Sequence, residues 1–405
     1  MPFRFSCLAL AIVAAPAWGQ PVAPLPTALP FLDLAPSPAL AGIGGAGVAV
    51  PGAGPYAALV NPALAGLAAR DEAAAANGGP GAGDWRAFGD IRLHGGAQSV
   101  GFDAGSLGLP ATIGAVASWA TMAYGNMPVP GSSSTYEPTD RYAALSLAGA
   151  SRGAIRFAVG ATLRNYSTTD RVVIRNGSAD ASHRRGLTGD IGVAVAADLA
   201  DLAGSPTITL PAVGPVRPAL EVTAGYAQAH IGALMRYSGG SWQALPRTAR
   251  LGWGAVAGFD ITLDRAGALR AVEAEIAMQA ESRLVRQEDG GDYDYAPALG
   301  DLGFTDALLG SGDAGVTGRR GVRLTLFETV TLSRGWFGGG GFPDSEAHAV
   351  ELRLAGALKV AARLSGSEVL AGGARRLDLR WTRAVTFAGS VYETPMTGLS
   401  VVVRR

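Results

Sequence analysis

The sequence predicts an all-β protein, namely a transmembrane antiparallel β-barrel of about 14 strands with a small N-terminal plug. Three observations predict this class. The first is an apolar, glycine-rich composition, with 48% hydrophobic residues, 16% charged residues and 58 glycines among 405 residues. The second is an export signal followed by no run of the roughly 18 apolar residues that a membrane helix needs. The third is a two-residue alternation of apolar and polar side chains in many segments, which a barrel wall requires.

The N terminus has the features of a cleaved signal peptide. Arg4 supplies the positive charge, an apolar run follows over residues 7–15, and Ala17-Trp18-Gly19 is a small-x-small cleavage site. Cys7 is the only cysteine, so the exported chain has no disulfide. We therefore expect three parts, which are a signal peptide over residues 1–19, a plug over residues 20–70 and a barrel over residues 71–405.

The predicted plug combines a glycine-rich run over residues 39–50 with the start of a short helix. Asn61 is a good N-cap, because its side-chain oxygen can accept a hydrogen bond from a free N–H of the first helical turn. Pro62 fits the first helical position, where no N–H is needed. These pieces predict an extended segment, a turn and a helix.

This arrangement resembles the N-terminal plug of FadL-like outer-membrane barrels, and among them that of the PorV/PorQ family. Chains of that family open with a glycine-rich GGxGVA segment that is followed by NPA. The resemblance implies a plug motif and a location in the outer membrane. The matching positions are Gly44, Gly45, Gly47, Val48, Ala49, Asn61, Pro62, Ala63 and Leu64.

The alternation of side chains predicts the strands of the wall. Val350, Leu352 and Leu354 alternate with Glu351 and Arg353, which would place the apolar residues against lipid and the charges in the lumen. Residues 322–326 and 377–382 show the same pattern. Further strands are predicted over residues 91–102, 111–124, 141–147, 154–166, 190–197, 219–230, 249–263, 330–337 and 399–405.

Residues 268–283 are ambiguous, because they are rich in good helix formers such as Ala, Leu, Glu and Gln. Their apolar residues nevertheless fall on one parity, whereas Glu273, Glu275, Gln279 and Glu281 fall on the other. A period of two favours a strand over a helix. We also predict long outer loops over residues 125–140, 167–186 and 287–319, with short turns and both termini on the periplasmic side.

No catalytic, cofactor or metal site is predicted, and we expect no enzymatic activity. Two GxGxxG spacings, which begin at Gly42 and Gly310, lack the strand-to-helix context of a dinucleotide site. Ser151 has the spacing of a nucleophile elbow, but a strand-like segment follows it, which favours a hairpin turn. The histidines, His94, His183, His230 and His348, are not spaced as a helical metal pair. Because the net charge is zero, nucleic acid is not an expected partner.

One acidic segment leaves two interpretations open. Its oxygens could hold calcium, but it lacks the register and the distal glutamate of a calcium loop. A solvated outer loop is the favoured interpretation, and Tyr293 and Tyr295 beside it could contact a partner. The acidic residues are Glu288, Asp289, Asp292 and Asp294.

A second candidate for partner contact is formed by Trp336, Phe337 and Phe342, which flank four consecutive glycines. Aromatic residues in barrels form girdles at the membrane interfaces, and that structural role is the favoured one. A docking tip for a protein partner is the alternative.

Two functions remain open. The PorV/PorQ resemblance implies a component of the type IX secretion system, with exported proteins that have a C-terminal sorting domain, or subunits of the secretion machinery, as partners. The wider FadL-like resemblance implies a channel for hydrophobic small molecules. The channel predicts an apolar cavity behind residues 48–64 and a gap in the wall, whereas the secretion role predicts a sealed or charge-lined lumen. Charged residues of inward parity favour the secretion role, and in either case membrane lipid surrounds the protein.

Overall fold

Most strands belong to one antiparallel sheet, which the computed structural model describes together with the plug. The described residues are 28–33, 37–69, 72–80, 92–128, 135–175, 178–204, 207–210, 214–236, 242–263, 267–287, 293–389 and 393–404. The predicted signal peptide lies outside them. The long strands are β1 (Glu72–Pro80), β2 (Arg92–Asp103), β3 (Ala111–Ala123), β4 (Thr139–Ser151), β5 (Ile155–Arg175), β6 (Ser178–Asp198), β7 (Gly214–Ile231), β8 (Thr248–Leu263), β9 (Gly267–Arg283), β10 (Val316–Leu326), β11 (Val330–Gly339), β12 (Phe342–Arg353), β13 (Leu377–Thr386) and β14 (Thr394–Arg404).

The strands form a closed ring. The sheet has 15 strands, and the short strand Ile208–Leu210 pairs only with β7. Each of the others pairs with two neighbours, since β1 pairs with β14 and β7 pairs with β8 as well as with β6. The all-β prediction is confirmed, and the ring matches the predicted number of strands. The ambiguous residues 268–283 belong to strand β9, which pairs on both sides.

The two faces of the ring differ in polarity. On β5, Phe157, Val159 and Leu163 are more than 60% exposed on the outer face, whereas Thr162 and Arg164 are buried on the inner face. The same alternation continues along β4 and β6. The ring therefore has an apolar exterior and a partly polar lumen, as the sequence predicts.

The first residue of β1 and the last residue of β14 lie at the same end of the barrel, because the antiparallel strands alternate in direction from β1 to β14. Small hairpins extend the opposite end, for example Val285–Gln287 with Tyr293–Tyr295. The prediction of a long loop over residues 167–186 is wrong, since β5 and β6 pair up to Arg175 and Ser178. The β-branched run Val172-Val173-Ile174 favours this extension of the strands.

A helical hairpin, which the sequence analysis missed, follows β12 at the end that carries both termini. It consists of α6 (Leu354–Ser365) and α7 (Glu368–Arg376), so the strand position predicted for Leu354 is wrong. Ala and Leu favour the helix, Gly366 ends α6 in a left-handed conformation, and the Ser367 hydroxyl caps α7. No helix among the described residues is long and apolar enough to cross a membrane.

Residues 37–69 lie inside the ring and pack against its inward side chains. They contain three short α-helices and the 3-10 turn Pro51–Tyr56. A second segment, residues 28–33, lies nearer the end of the ring that is opposite both termini, which we call the upper end. It contains the 3-10 turn Pro30–Asp33. Together they occupy the predicted plug region. The helices are α1 (Pro38–Ala41), α2 (Ala57–Val60) and α3 (Leu64–Ala68). Two further short helices lie in loops between strands, namely α4 (Leu199–Leu202) and α5 (Phe304–Leu309).

Candidate functional site

The plug is joined to the wall by the fully buried carboxamide of Asn61. Its Oδ1 accepts a hydrogen bond from the N–H of Ala63 at 3.1 Å, in the turn that leads into α3. Because α3 begins at Leu64 with Ala63 as its N-cap residue, the predicted N-cap position of Asn61 and the predicted first helical position of Pro62 are two residues too early. Its Nδ2 donates to the carbonyl of Val48 at 2.9 Å and to that of Val193 on β6 at 3.1 Å. One side chain therefore joins the helix start, the glycine-rich segment and the barrel wall.

Gln279 on β9 is the matching contact from the wall, and the sequence analysis gave it no role. Its Oε1 accepts hydrogen bonds from the N–H groups of Gly47 at 3.1 Å and Val48 at 3.0 Å. The side chain is 1% exposed. The sequence offers one signal for this contact. Among the residues of inward parity on β9, Gln279 carries a neutral amide, whereas Glu275 and Glu281 on either side of it carry carboxylates.

Three further hydrogen bonds join plug and wall. Arg319 donates to the carbonyl of Gly44 at 3.1 Å, and Thr112 donates to that of Gly66 at 2.9 Å. Tyr56 of the plug donates to a wall carbonyl, that of Gly95, at 3.0 Å. Buried backbone groups without partners would each destabilise this packing, so these contacts position the plug.

Glycines make the close approach of plug and wall possible. Gly44 and Gly45 have left-handed φ angles of 67° and 76°, which residues with a Cβ rarely adopt. On the wall, a Cβ at Gly160 would lie 2.6 Å from the carbonyl carbon of Pro62 and 2.7 Å from the nitrogen of Ala63. Inward glycines on neighbouring strands are in comparable contact with the plug, namely Gly114, Gly192, Gly225, Gly252, Gly321 and Gly335.

Residues 28–33 fill an apolar space, which we call the upper chamber. Leu29 and Phe31 are buried there, and the ring centroids of Phe31 and Tyr142 are 5.8 Å apart. The wall of the chamber consists of apolar inward side chains from several strands and loops. They are Leu93, Ala120, Met122, Tyr142, Ala144, Tyr166, Met235 and Leu245.

A buried polar cluster lies beside the upper chamber. Arg164 forms an ion pair with Asp190 at 2.9 Å, and its guanidinium lies 4.9 Å from the ring centre of Tyr142. It also donates to His230 Nδ1 at 2.7 Å. His230 has a positive φ of 59° at a register shift of β7, which turns the residue inward. This lone histidine is therefore a lumen residue, one of the two locations expected from the sequence.

Asp33 ends the upper-chamber segment close to this cluster. Its Oδ1 lies 3.7 Å from His230 Nε2, and its Oδ2 lies 3.7 Å from a guanidinium nitrogen of Arg283. Burial raises the pKa of Asp33 to about 6, and the nearby charge of Arg283 opposes this shift. Oδ1 of this carboxyl group is buried without a hydrogen-bond partner among the described residues.

A cavity of about 790 Å³, which we call the vestibule, lies between residues 51–65 of the plug and the α6–α7 hairpin. Its wall contains charged pairs such as Arg323 with Glu275 at 2.9 Å and Lys359 with Glu328 at 2.7 Å. The space behind the plug is thus charge-lined on its wall side, and the part of the chain that the structure describes does not form the apolar cavity that a channel predicts there.

The predicted partner-contact residues lie in two separate groups. The Tyr295 hydroxyl accepts from the N–H of Leu245 at 3.1 Å, and the Arg247 guanidinium lies 3.6 Å from the tyrosine ring centre. Tyr293 pairs with Gln287 in the same hairpin.

Trp336 and Phe337 lie on β11, where Phe337 packs edge-on against Phe387 at 5.1 Å, and the backbone of Phe342 pairs with Gly339. Glu288, Asp289 and Asp292 of the acidic segment lie outside the described residues. Among those described, no three His, Cys, Asp or Glu side chains group as metal ligands.

No family model matches the sequence, and no curated protein matches it. Similar solved structures include the CymD monoaromatic hydrocarbon channel, with 9% identity and a TM-score of 0.39 over 91% of this chain and 97% of that one. The Pseudomonas putida toluene transporter TodX has 8% identity and a TM-score of 0.38 over 90% and 96%. The transport unit of the Escherichia coli autotransporter AIDA-I has 10% identity and a TM-score of 0.36 over 82% and 88%. Because these identities and TM-scores are low, the fold assignment depends on the strand pairing and not on these similarities.

Substituting Asn61 with Ala is expected to loosen the plug and leave the ring folded. The change leaves the buried carbonyls of Val48 and Val193 without these donors, at a cost of about 1–3 kcal/mol each. Hydrogen exchange of the plug amides, compared with that of the β5 amides, measures the effect. Asn165→Ala, at an exposed outward position, is the control. Equal protection of the plug in both variants would contradict the role of Asn61.

Gly160→Ala is expected to displace the plug, because the new methyl group would overlap the backbone at Pro62 and Ala63. Gly149→Ala is a matched control, since a Cβ there has only one neighbour, at 3.9 Å. Chymotrypsin cleavage after Tyr56, within the plug, measures the difference. Cleavage that is equally slow in both folded variants would show that the wall glycines do not seat the plug.

Docking of residues 28–33 is expected to weaken as the pH rises from about 4 to 6. The pKa of Asp33 is raised from 3.8 to about 6 in the docked state, so docking binds a proton and is most stable below this range. The full change is on the order of 3 kcal/mol. Hydrogen exchange at Leu29 and Phe31, corrected for intrinsic rates, should increase over this interval. Asp33→Asn should remove the dependence, and an unchanged slope would contradict the assignment.

Proposed function

We propose that the protein is an integral outer-membrane barrel. The closed ring leaves no unpaired strand edge along β1 to β14, which is the condition for a sheet to span lipid. Its outer face exposes Leu, Val, Ile, Phe and Trp side chains, for example Phe157, Val159 and Ile191, to the surroundings. A soluble barrel would expose polar residues there instead. The predicted signal peptide supports export from the cytoplasm.

Val159→Arg tests the spanning orientation. An arginine on the lipid face near the bilayer midplane destabilises a barrel by about 2–4 kcal/mol, whereas the cost near an interface is about 0–1 kcal/mol. Asn165→Arg, on the same face of β5 beyond the apolar residues, is the matched control. Urea titration of the protein folded into phosphatidylcholine vesicles measures both. Equal stability of the two variants would contradict a membrane-spanning wall.

Within this class we propose a channel for small hydrophobic molecules. The observation that supports it is the upper chamber, whose apolar wall is covered by residues 28–33 of the chain itself. Withdrawal of Leu29 and Phe31 would expose that wall to an incoming apolar molecule. Each of these side chains gains about 1.5–3 kcal/mol from burial, so a ligand with a similar apolar area could replace them.

Chamber-filling variants test the channel. Ala144 faces the chamber, and Ala143 on the same strand faces outward. We expect Ala144→Trp to abolish binding of the apolar fluorophore 1-N-phenylnaphthylamine to the purified protein, because the indole would occupy the ligand's space. Ala143→Trp should bind as the unmodified protein does. Equal binding by both variants would overturn the proposal.

A role of the PorV/PorQ type in type IX secretion is the second candidate. Two observations favour it, namely the charged wall of the vestibule and the continuous pairing of β3 with β2 and β4, which shows no wall gap at these strands. Gentle detergent extraction from the native membrane, followed by mass spectrometry of proteins and lipids, separates the candidates. Exported proteins with a common C-terminal sorting domain would support secretion. A barrel with a stoichiometric apolar molecule would support transport.

A further inference from the structure

An apolar groove of about 570 Å³ lies on the outer surface of β8 to β11. Its centre is shallow because outward positions that elsewhere hold Leu or Val are occupied by alanine. Larger apolar side chains from β9, β10 and β11 border these alanines. The apolar lining residues are Ala255, Ala257, Ala274, Ile276, Val322, Leu324 and Leu332.

The helix α5 (Phe304–Leu309) lies at the upper end of this groove. The loop after β9 folds over the outside of the wall, where Trp253 Nε1 donates to the carbonyl of Leu308 at 2.9 Å. Ala307 is buried against the outward residues Ala280 and Val316. The opposite side of the helix exposes 78% of Phe304 and about half of Leu308 and Leu309. An apolar surface therefore continues from the groove onto this helix.

Arginines adjoin the same end of the groove. Arg320 lies between Met278 and Trp336 in the strand register, one outward position above Val322. Its guanidinium lies 5.8 Å from a Trp336 ring centre and forms no ion pair among the described residues. Arg334, on the other side of the same ring at 5.2 Å, pairs with Glu346 at 2.8 Å. Trp336 thus lies between two arginines beside the groove. Arg334 is ion-paired, whereas Arg320 has no ion pair among the described residues.

We propose that this groove binds one acyl chain of an anionic, phosphate-bearing membrane lipid. The alanines receive the chain, and Arg320 donates to the phosphate, as guanidinium groups commonly do. The apolar face of α5 enters the same leaflet beside the bound lipid. Charge complementarity selects an anionic lipid, because the unpaired arginine lies at the end of the groove where a headgroup would be. The site rests on the proposed membrane location and is independent of the channel function.

Native mass spectrometry of the full-length protein tests the site. The protein is released from nanodiscs that contain dimyristoyl phosphatidylglycerol and dimyristoyl phosphatidylcholine in equal amounts. We expect one phosphatidylglycerol to be retained in preference to phosphatidylcholine. Arg320→Ala should lower that preference about tenfold, because a charge-assisted hydrogen bond contributes at least the free energy of a tenfold change. Arg383→Ala, at an outward position on β13, should retain the preference.

Ala257→Phe tests the acyl-chain part separately, since the ring would fill the groove. We expect retention of the lipid to be lost, whereas Ala143→Phe on the outer face of β4 should retain it. Each variant is first shown to migrate as a folded barrel in unheated gels, so that failure to fold is distinguished from failure to bind. Equal retention of both lipids, or retention that Arg320→Ala and Ala257→Phe leave unchanged, would overturn the site.

Discussion

The carboxamide of Asn61 connects the two parts on which this structure depends. A plug inside a barrel has a polar backbone that neither helices nor strands fully satisfy, and a side chain with both donor and acceptor groups can serve it from one position. Asn61 does this for the turn that leads into α3, for the glycine-rich segment and for β6. Gln279 then accepts from Gly47 and Val48 on the opposite side, so the segment is held between two amides.

The parts that could be predicted from the sequence are those set by local periodicity. Alternation along β9 and β10 predicted the strands and their inward faces. The chemistry of Asn61 and Pro62 predicted a short helix here, although α3 begins two residues later than expected, at Leu64. The contact of Gln279 with Gly47 could not be predicted, because the two residues are 232 positions apart and only closure of the ring brings them together. His230 turns inward through a register shift, which a strict period of two does not reveal.

The α6–α7 hairpin shows a different limit. Its residues are good helix formers, but the same composition occurs in β9, where pairing on both sides imposes the strand. In both segments, therefore, tertiary context rather than intrinsic propensity decides whether the residues form a helix or a strand. In the hairpin, Ala362 packs on Ala371, and Lys359 donates to Glu328 in the turn between β10 and β11. The helices therefore form the floor of the vestibule.

The plug divides the lumen into two chemically different spaces, and its two segments are held differently. Residues 37–69 are held by an apolar cluster with the wall and, in addition, by hydrogen bonds that involve Asn61, Gln279 and Arg319. Residues 28–33 are held mainly by apolar packing in the upper chamber, together with a backbone hydrogen bond from Ala28 to Ala244 at 2.9 Å. Apolar contacts can be replaced by any ligand of similar shape, but directional hydrogen bonds cannot. Movement of residues 28–33 alone would therefore break fewer hydrogen bonds than movement of residues 37–69. Under the proposed channel function, it would expose the apolar chamber while the Asn61 contacts remain intact.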